Sequence, residues 1–76
     1  QISFDVPKGN EMIMLNVYNI LGQNITTLAN SAMTPGRYTM EWNATDEMGN
    51  PVASGIYFYE LRSPSFTSRK KMILIR

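Results

Sequence analysis

Apolar and polar residues alternate along short stretches of the chain, and turn-forming residues separate these stretches at nearly even intervals. Alternation with a period of two places every second side chain on the same face of a β-strand. No window of a dozen residues has the apolar spacing of an amphipathic helix. The pattern therefore predicts an all-β antiparallel sandwich of six to seven strands with no substantial helix. Six strands are expected at about 2–6, 11–18, 24–28, 37–43, 56–62 and 69–76. Residues 51–53 are the candidate for a short seventh strand.

Two strands show features that bear on packing. In the fourth, Tyr38, Met40 and Trp42 share one face, which predicts that these side chains contribute to the core. In the third, Ile25 and Leu28 are spaced by an odd number of residues, so the alternation is imperfect. A β-bulge would account for this spacing, because a bulge inserts an extra residue into one strand.

Two glycine turns lead into strands that begin with a tyrosine at the same spacing. They are Gly36-Arg37-Tyr38 and Gly55-Ile56-Tyr57. The second resembles the corner of Ig-like sandwiches, where a tyrosine hydroxyl bonds to the backbone a few residues upstream. The spacing predicts a structural role for Tyr57.

Composition narrows the classes of protein and of chemistry. Of the 76 residues, 43% are hydrophobic and 17% are charged, which is typical of a small folded domain. The chain has no cysteine and no histidine, so disulfides, the usual zinc ligands and His- or Cys-based catalysis are excluded. No apolar run is long enough to span a membrane. Because the sequence opens in what reads as the middle of a strand, we expect 1–76 to be a single domain excised from a longer protein.

Positive charge is concentrated near the end of the sequence. Residues 69–76 include four basic residues and no acid, a charge of +4, whereas the rest of the chain carries −3, giving the net charge of +1. Cations on a terminal strand can protect a sheet edge from pairing with other chains, and composition alone favours this interpretation. The alternative is that the basic, apolar strand docks a partner. Nucleic acid is not an expected partner, because basic residues elsewhere are outnumbered by acids.

No enzymatic chemistry is expected. Six carboxylates are spread along the chain, and a sandwich of this size leaves little room for a catalytic cleft between two of them. Asp46, Glu47 and Asn50 could suggest a calcium site, but they lack the alternating spacing of a calcium loop, and an Asx turn that explains the same residues is strongly favoured. No metal or cofactor is therefore expected. The aromatic residues that could stack on a sugar, but are more typical of a core, are Tyr38, Trp42, Tyr57, Phe58 and Tyr59.

Four segments, taken in order, resemble a known family. Residues 15–22 resemble its pattern LxVYNxxG, 35–43 its GxYxxxWD, 46–59 its DxxGxxVxSGxYFY and 70–76 its terminal KKMxLxR. Together they resemble the C-terminal sorting domain of the type IX (Por) secretion system of Bacteroidetes-like bacteria. That domain is similar in turn to the Ig-like domain of the flagellar hook-capping protein. One departure is Asn43-Ala44, where the family often has Asp-Gly. The structural motif residues are Gly22, Gly36, Tyr38, Trp42, Gly49, Gly55 and Tyr57.

The resemblance implies a non-catalytic Ig-like sorting domain that needs no cofactor. It would follow an N-terminal cargo domain, be read in the periplasm by the outer-membrane translocon, and be removed by a sortase-like peptidase. The cargo would then be secreted or held at the cell surface. The terminal-strand signal would consist of Lys70, Lys71, Met72, Ile73, Leu74, Ile75 and Arg76. The alternatives are a passive Ig-like spacer or assembly domain of the flagellar hook-cap type and, less favoured, a small carbohydrate-binding module.

Overall fold

The computed structural model describes residues 1–7 and 11–75, and these form six β-strands in two antiparallel sheets. The strands are β1 (Ile2–Val6), β2 (Glu11–Asn19), β3 (Asn24–Met33), β4 (Gly36–Met40), β5 (Gly55–Arg62) and β6 (Thr67–Leu74). β1 and β4 form a two-stranded sheet, and the other four strands form a second sheet in the order β3-β2-β5-β6. The predicted all-β antiparallel sandwich is confirmed, and its strands are consistent with an Ig-like arrangement. The described residues include no helix that could cross a lipid bilayer.

The core lies between the two sheets, and its composition follows from the alternation along each strand. The inward-facing side chains of β1 pack on those of the four-stranded sheet, while the intervening residues of β1 are exposed. Three side chains of β2 have no exposed surface, because β2 is a central strand beneath the two-stranded sheet. The buried cluster consists of Ile2, Phe4, Val6, Ile13, Leu15, Ala29 and Leu61.

The expected irregularity in the third strand is present. Along β2 and β3, Leu15 pairs with Ala29 and Asn16 with Thr27, so that Leu28 is skipped. A second shift of register skips Ile25. The extra residues are the two apolar residues whose spacing breaks the alternation. The bulge prediction is therefore confirmed.

Several expected strand boundaries were wrong. β3 continues beyond Leu28 to Met33 because the first half of β2 pairs with it, although its residues 30–32 show no apolar alternation. The last strand runs from Thr67 to Leu74 rather than from 69 to 76. The candidate seventh strand at 51–53 is not formed, and Pro51 makes only an isolated bridge with Thr45. The turn-forming run Pro7-Lys8-Gly9, which the sequence places after the first strand, lies largely outside the described residues.

The fourth strand ends at Met40, so Trp42 is not part of an alternating strand as expected. The backbone turns instead, and Ala44 has a φ of 61°, in the left-handed region that favours glycine. This is the position where the resembling family often has glycine. A buried alanine thus occupies a conformation that costs an L-residue about 1–2 kcal/mol.

Candidate interaction surface

β6 lies at an edge of the four-stranded sheet, so one side of its backbone has no neighbouring strand among the described residues. On its other side it pairs with β5 along its whole length, from Thr67 opposite Arg62 to Leu74 opposite Gly55. Every second residue of an antiparallel edge strand directs its N–H and C=O away from the sheet. β6 therefore presents backbone groups with which another extended chain could pair.

The predicted partner-binding residues divide between the two faces of β6. Met72 lies opposite the buried Tyr57, so the residues on the same face of β6 as Met72 lie on the side of the two-stranded sheet. Ile75 follows the strand and is 85% exposed, and Arg76 lies outside the described residues. The residues on the side of the two-stranded sheet are Lys70, Met72 and Leu74, and those on the opposite face are Lys71 and Ile73.

The cations of β6 differ in what they contact. Arg69 donates from Nη2 to the Glu60 carboxylate at 3.0 Å. Lys70 and Lys71 are exposed, and neither forms an ion pair with a described residue. Both ammonium groups are therefore available either to repel another cationic edge or to attract an acidic partner.

Trp42 is a structural motif residue that lies outside the strands and beside β6. Its ring helps to line a groove with Ile2, Met72 and Leu74, and it is half-buried. The indole Nε1–H donates to the Thr45 carbonyl oxygen at 2.9 Å. Its ring meets the Tyr57 ring edge-on, with centroids 5.1 Å apart. These contacts fix the indole as part of the packing between β6 and the two-stranded sheet.

Tyr38 and Tyr57 make the same corner. Each donates its hydroxyl to the carbonyl oxygen of the residue four positions earlier, at 2.7 Å in both cases. Each follows a strand-initiating glycine, Gly36 with a φ of 148° and Gly55 with a φ of 155°. The sequence predicts this hydrogen bond for Tyr57 only. The equal Gly-x-Tyr spacing was the signal for the second corner.

The other two motif glycines lie in turns that a side chain closes. Gly22 and Gly49 have φ of 84° and 85°. Asn19 Oδ1 accepts from two backbone N–H groups of the first turn, and Asp46 Oδ1 does the same in the second. Asp46 thus forms the Asx turn that is expected from the sequence in place of a calcium loop. Both glycines therefore shape turns of the scaffold.

Glu60 is the buried acid of this surface, and the sequence pattern does not predict its role. Its side chain is only 5% exposed and lies between Arg62 and Arg69. Oε1 accepts no well-aligned hydrogen bond from a described residue, but the Arg62 Nη2 lies 3.1 Å away, and the charge attraction does not depend on alignment. The spacing Glu60-x-Arg62 places these two on one face. The participation of Arg69 depends on strand register, which the sequence does not show.

The fold and this surface define the class: an Ig-like β-sandwich with one accessible, cationic edge strand. The model of the FlgD Ig-like domain family matches residues 1–65, and the chain belongs to that family. The match includes β1 to β5 and stops before β6. No curated protein and no solved structure matched the chain.

Proposed function

We propose that the chain is a non-catalytic Ig-like assembly module that holds or docks neighbouring parts of a larger protein assembly, as the flagellar hook-cap type does. The observation that carries this proposal is the family match over 65 of the 76 residues. The geometry supports it, because a sandwich with an unpaired edge can bind protein by strand addition without any reacting group.

The partners of the carboxylates also support a non-catalytic role. Asp5 lies 3.9 Å from Arg37, and Glu11 accepts hydrogen bonds from Ser65. Glu47 accepts from the Thr27 N–H. Asp46 closes its turn and Glu60 pairs with two arginines. Five carboxylates are thus engaged in structural contacts rather than directed at a common cleft.

Exchange of the domain within its parent protein tests the assembly role. Residues 1–76 would be replaced by an unrelated Ig-like sandwich of similar length, and assembly of the parent would be measured by size-exclusion chromatography with light scattering. Loss of assembly, with the rest of the parent still folded, supports the proposal. Normal assembly of the exchanged protein would indicate that the domain is a passive spacer, and would contradict a docking role.

A second candidate function is a type IX sorting signal, with β6 read by the outer-membrane translocon and the cargo processed by a sortase-like peptidase. The observation that favours it is that β6, which carries the segment resembling the terminal sorting motif, is an accessible edge strand. Two lysines without a described ion-pair partner add charge that can steer an approaching partner. Cargo exported this way would pass through the periplasm to the cell surface or medium.

Export of a reporter tests this second function and separates it from the first. Residues 1–76 would be fused behind a signal peptide and a reporter in a bacterium that has the type IX system. Appearance of the reporter outside the cell supports a sorting signal, and its retention in the periplasm contradicts one.

Two variants locate the signal within the domain. Deletion of 70–76 should abolish export, but it also removes packing residues such as Met72 and Leu74. The exposed pair Lys70→Glu and Lys71→Glu changes charge while leaving the core in place, and should reduce export strongly. Arg37→Gln, at an exposed cation on β4, removes a positive charge without placing an acid opposite Asp5, and as the control it should export normally. Export by the lysine variant at the control level would exclude the charges of β6 as the signal.

A further inference from the structure

The outer face of the four-stranded sheet, which points away from β1 and β4, is unusual for a two-layer sandwich. Such faces normally carry polar residues, because their side chains meet solvent. Here Met12 is 53% exposed, Met14 38%, Ile56 38% and Ile73 66%. Strand register places these residues together with aromatic and charged ones on a single surface. We call the outer face the surface formed by Met12, Met14, Asn16, Tyr18, Ile56, Phe58, Glu60, Arg62, Arg69, Lys71 and Ile73.

An apolar groove crosses one end of the outer face. Met12, Met14 and Pro64 form much of its lining, and Arg62 stands at its margin. The groove is largely open to solvent, and its volume of about 280 Å³ can seat one large aliphatic or aromatic side chain. Methionine side chains are flexible and polarizable, so they adapt to an inserted group at little cost.

Beside the groove, one buried carboxylate holds two guanidinium groups. Glu60 contacts Arg62 through Oε1 at 3.1 Å and Arg69 through Oε2 at 3.0 Å. Arg69 also lies over the Tyr18 ring, 5.6 Å from its centroid. A guanidinium has five N–H donors, and both arginine side chains remain more than half exposed. The remaining donors are thus held in place for an external anion, at a reduced entropy cost.

The net positive charge of the outer face favours an acidic binding partner. Arg62, Arg69 and Lys71 contribute three positive charges and Glu60 one negative charge. A second copy of the chain, packed face to face, would bring two positively charged surfaces together, which is unfavourable. An acidic polypeptide has the complementary charge, and its apolar side chains can use the groove. Free phosphate would leave the exposed methionines uncovered.

We propose that the outer face binds an extended acidic segment of a partner protein, with an apolar side chain in the Met12–Met14 groove and a carboxylate on Arg62 and Arg69. The proposal rests on the role of the domain as a binding module and names the chemistry of its partner. It differs from strand addition at β6, which uses backbone groups of the edge rather than side chains of the face.

Titration with a synthetic peptide tests the proposal. The probe is a peptide of about eight alternating leucine and glutamate residues. Binding is followed by the ¹H–¹⁵N chemical shifts of the whole chain. We expect shifts at Met12, Met14, Arg62 and Arg69, and weaker binding as salt is raised. The same peptide with lysine in place of glutamate should not bind.

Variants on the two faces of the sheet provide the controls. Met12→Asp places an acid in the groove at a half-exposed position, so the fold is retained, and should weaken binding about tenfold or more. The double variant Arg62→Gln and Arg69→Gln should do the same, with folding checked separately because Glu60 loses its partners. Lys70→Gln, on the opposite face of β6, should change affinity less than about twofold.

Three results would overturn the proposal. One is a set of shifts confined to β6 that Met12→Asp does not alter, which would show strand addition. Another is inorganic phosphate shifting the two arginines as strongly as the peptide does. The third is no binding of the acidic peptide. Because the readout is peptide binding by the isolated chain, each of these can occur whether or not domain exchange disrupts the parent assembly.

Discussion

At the scale of single residues, Tyr38 and Tyr57 make equal hydrogen bonds in unequal surroundings. Tyr57 is buried, whereas the hydroxyl of Tyr38 lies at an exposed position and also contacts the Thr34 side chain. Tyr57→Phe should cost about 1–2 kcal/mol of unfolding free energy, because a partly buried carbonyl loses its donor. Tyr38→Phe should cost about half as much, since water can replace the lost donor. Urea denaturation of both variants measures the difference.

Equal losses for the two tyrosine variants would show that the two corners are equally shielded from solvent. A neutral Tyr57→Phe would show that its hydroxyl contributes nothing to the corner. The pair is a matched comparison, because each substitution removes one oxygen and keeps the ring, and each donor lies 2.7 Å from its acceptor.

Trp42 is the residue on which we test the alternative of a carbohydrate-binding module, because its ring could stack on a sugar. Its indole contacts Tyr57 and donates to Thr45, so Trp42→Ala should destabilise the chain by about 3 kcal/mol, the low end for a large aromatic because the ring is not fully buried. Trp42→Phe, which keeps an aromatic ring but not the N–H donor, should lose about 1 kcal/mol. A loss below about 1 kcal/mol for Trp42→Ala would show that the ring contributes little to packing, and would favour a role in sugar stacking. Thermal unfolding of both variants is the measurement.

At the scale of elements, β6 decides between the two interpretations of the terminal charge. As an edge strand it needs protection against pairing with other chains, and Lys70 and Lys71 are exposed along it. If they act as edge protection, Lys70→Thr together with Lys71→Thr should raise self-association without lowering stability by more than about 0.5 kcal/mol. Sedimentation velocity at several concentrations measures this. If the variant associates no more than the unsubstituted chain does, the result would favour the other interpretation, in which the two lysines attract a binding partner.

The strands were predicted where local alternation reflects burial, and were misplaced where pairing alone maintains the strand. Ile13, Leu15 and Val17 alternate because one face of β2 meets the core. In β3, by contrast, residues 30–32 are polar or small and exposed, and they are extended because β2 lies beside them. The end of β4 was missed for a related reason: Trp42 continues the alternation, but the pairing of β4 with β1 ends with Met40 opposite Ile2.

The candidate surface was predictable only in part, for a similar physical reason. The accumulation of positive charge near residue 70 is a property of the sequence, and so is its place on a last strand. The grouping of Glu60 with Arg69 requires the register between β5 and β6. The exposure of Met12 and Met14 requires knowing that the two-stranded sheet covers only the other face of β2. Local patterns specify faces, whereas register specifies which residues share them.

At the scale of the whole molecule, one small core between unequal sheets supports the entire structure. Leu15 lies at its centre with no exposed surface, so Leu15→Ala should cost about 2–5 kcal/mol through lost burial and the cavity left behind. For a domain of this size the total stability is about 4–11 kcal/mol, so this loss is a large fraction of it. Leu21→Ala, at an 80% exposed turn position, removes the same atoms and should change stability by less than about 0.5 kcal/mol. Urea unfolding of both variants with an unchanged m-value is expected, because the same surface is exposed on unfolding. A Leu15→Ala variant as stable as Leu21→Ala would mean that the two sheets do not depend on this core for their association.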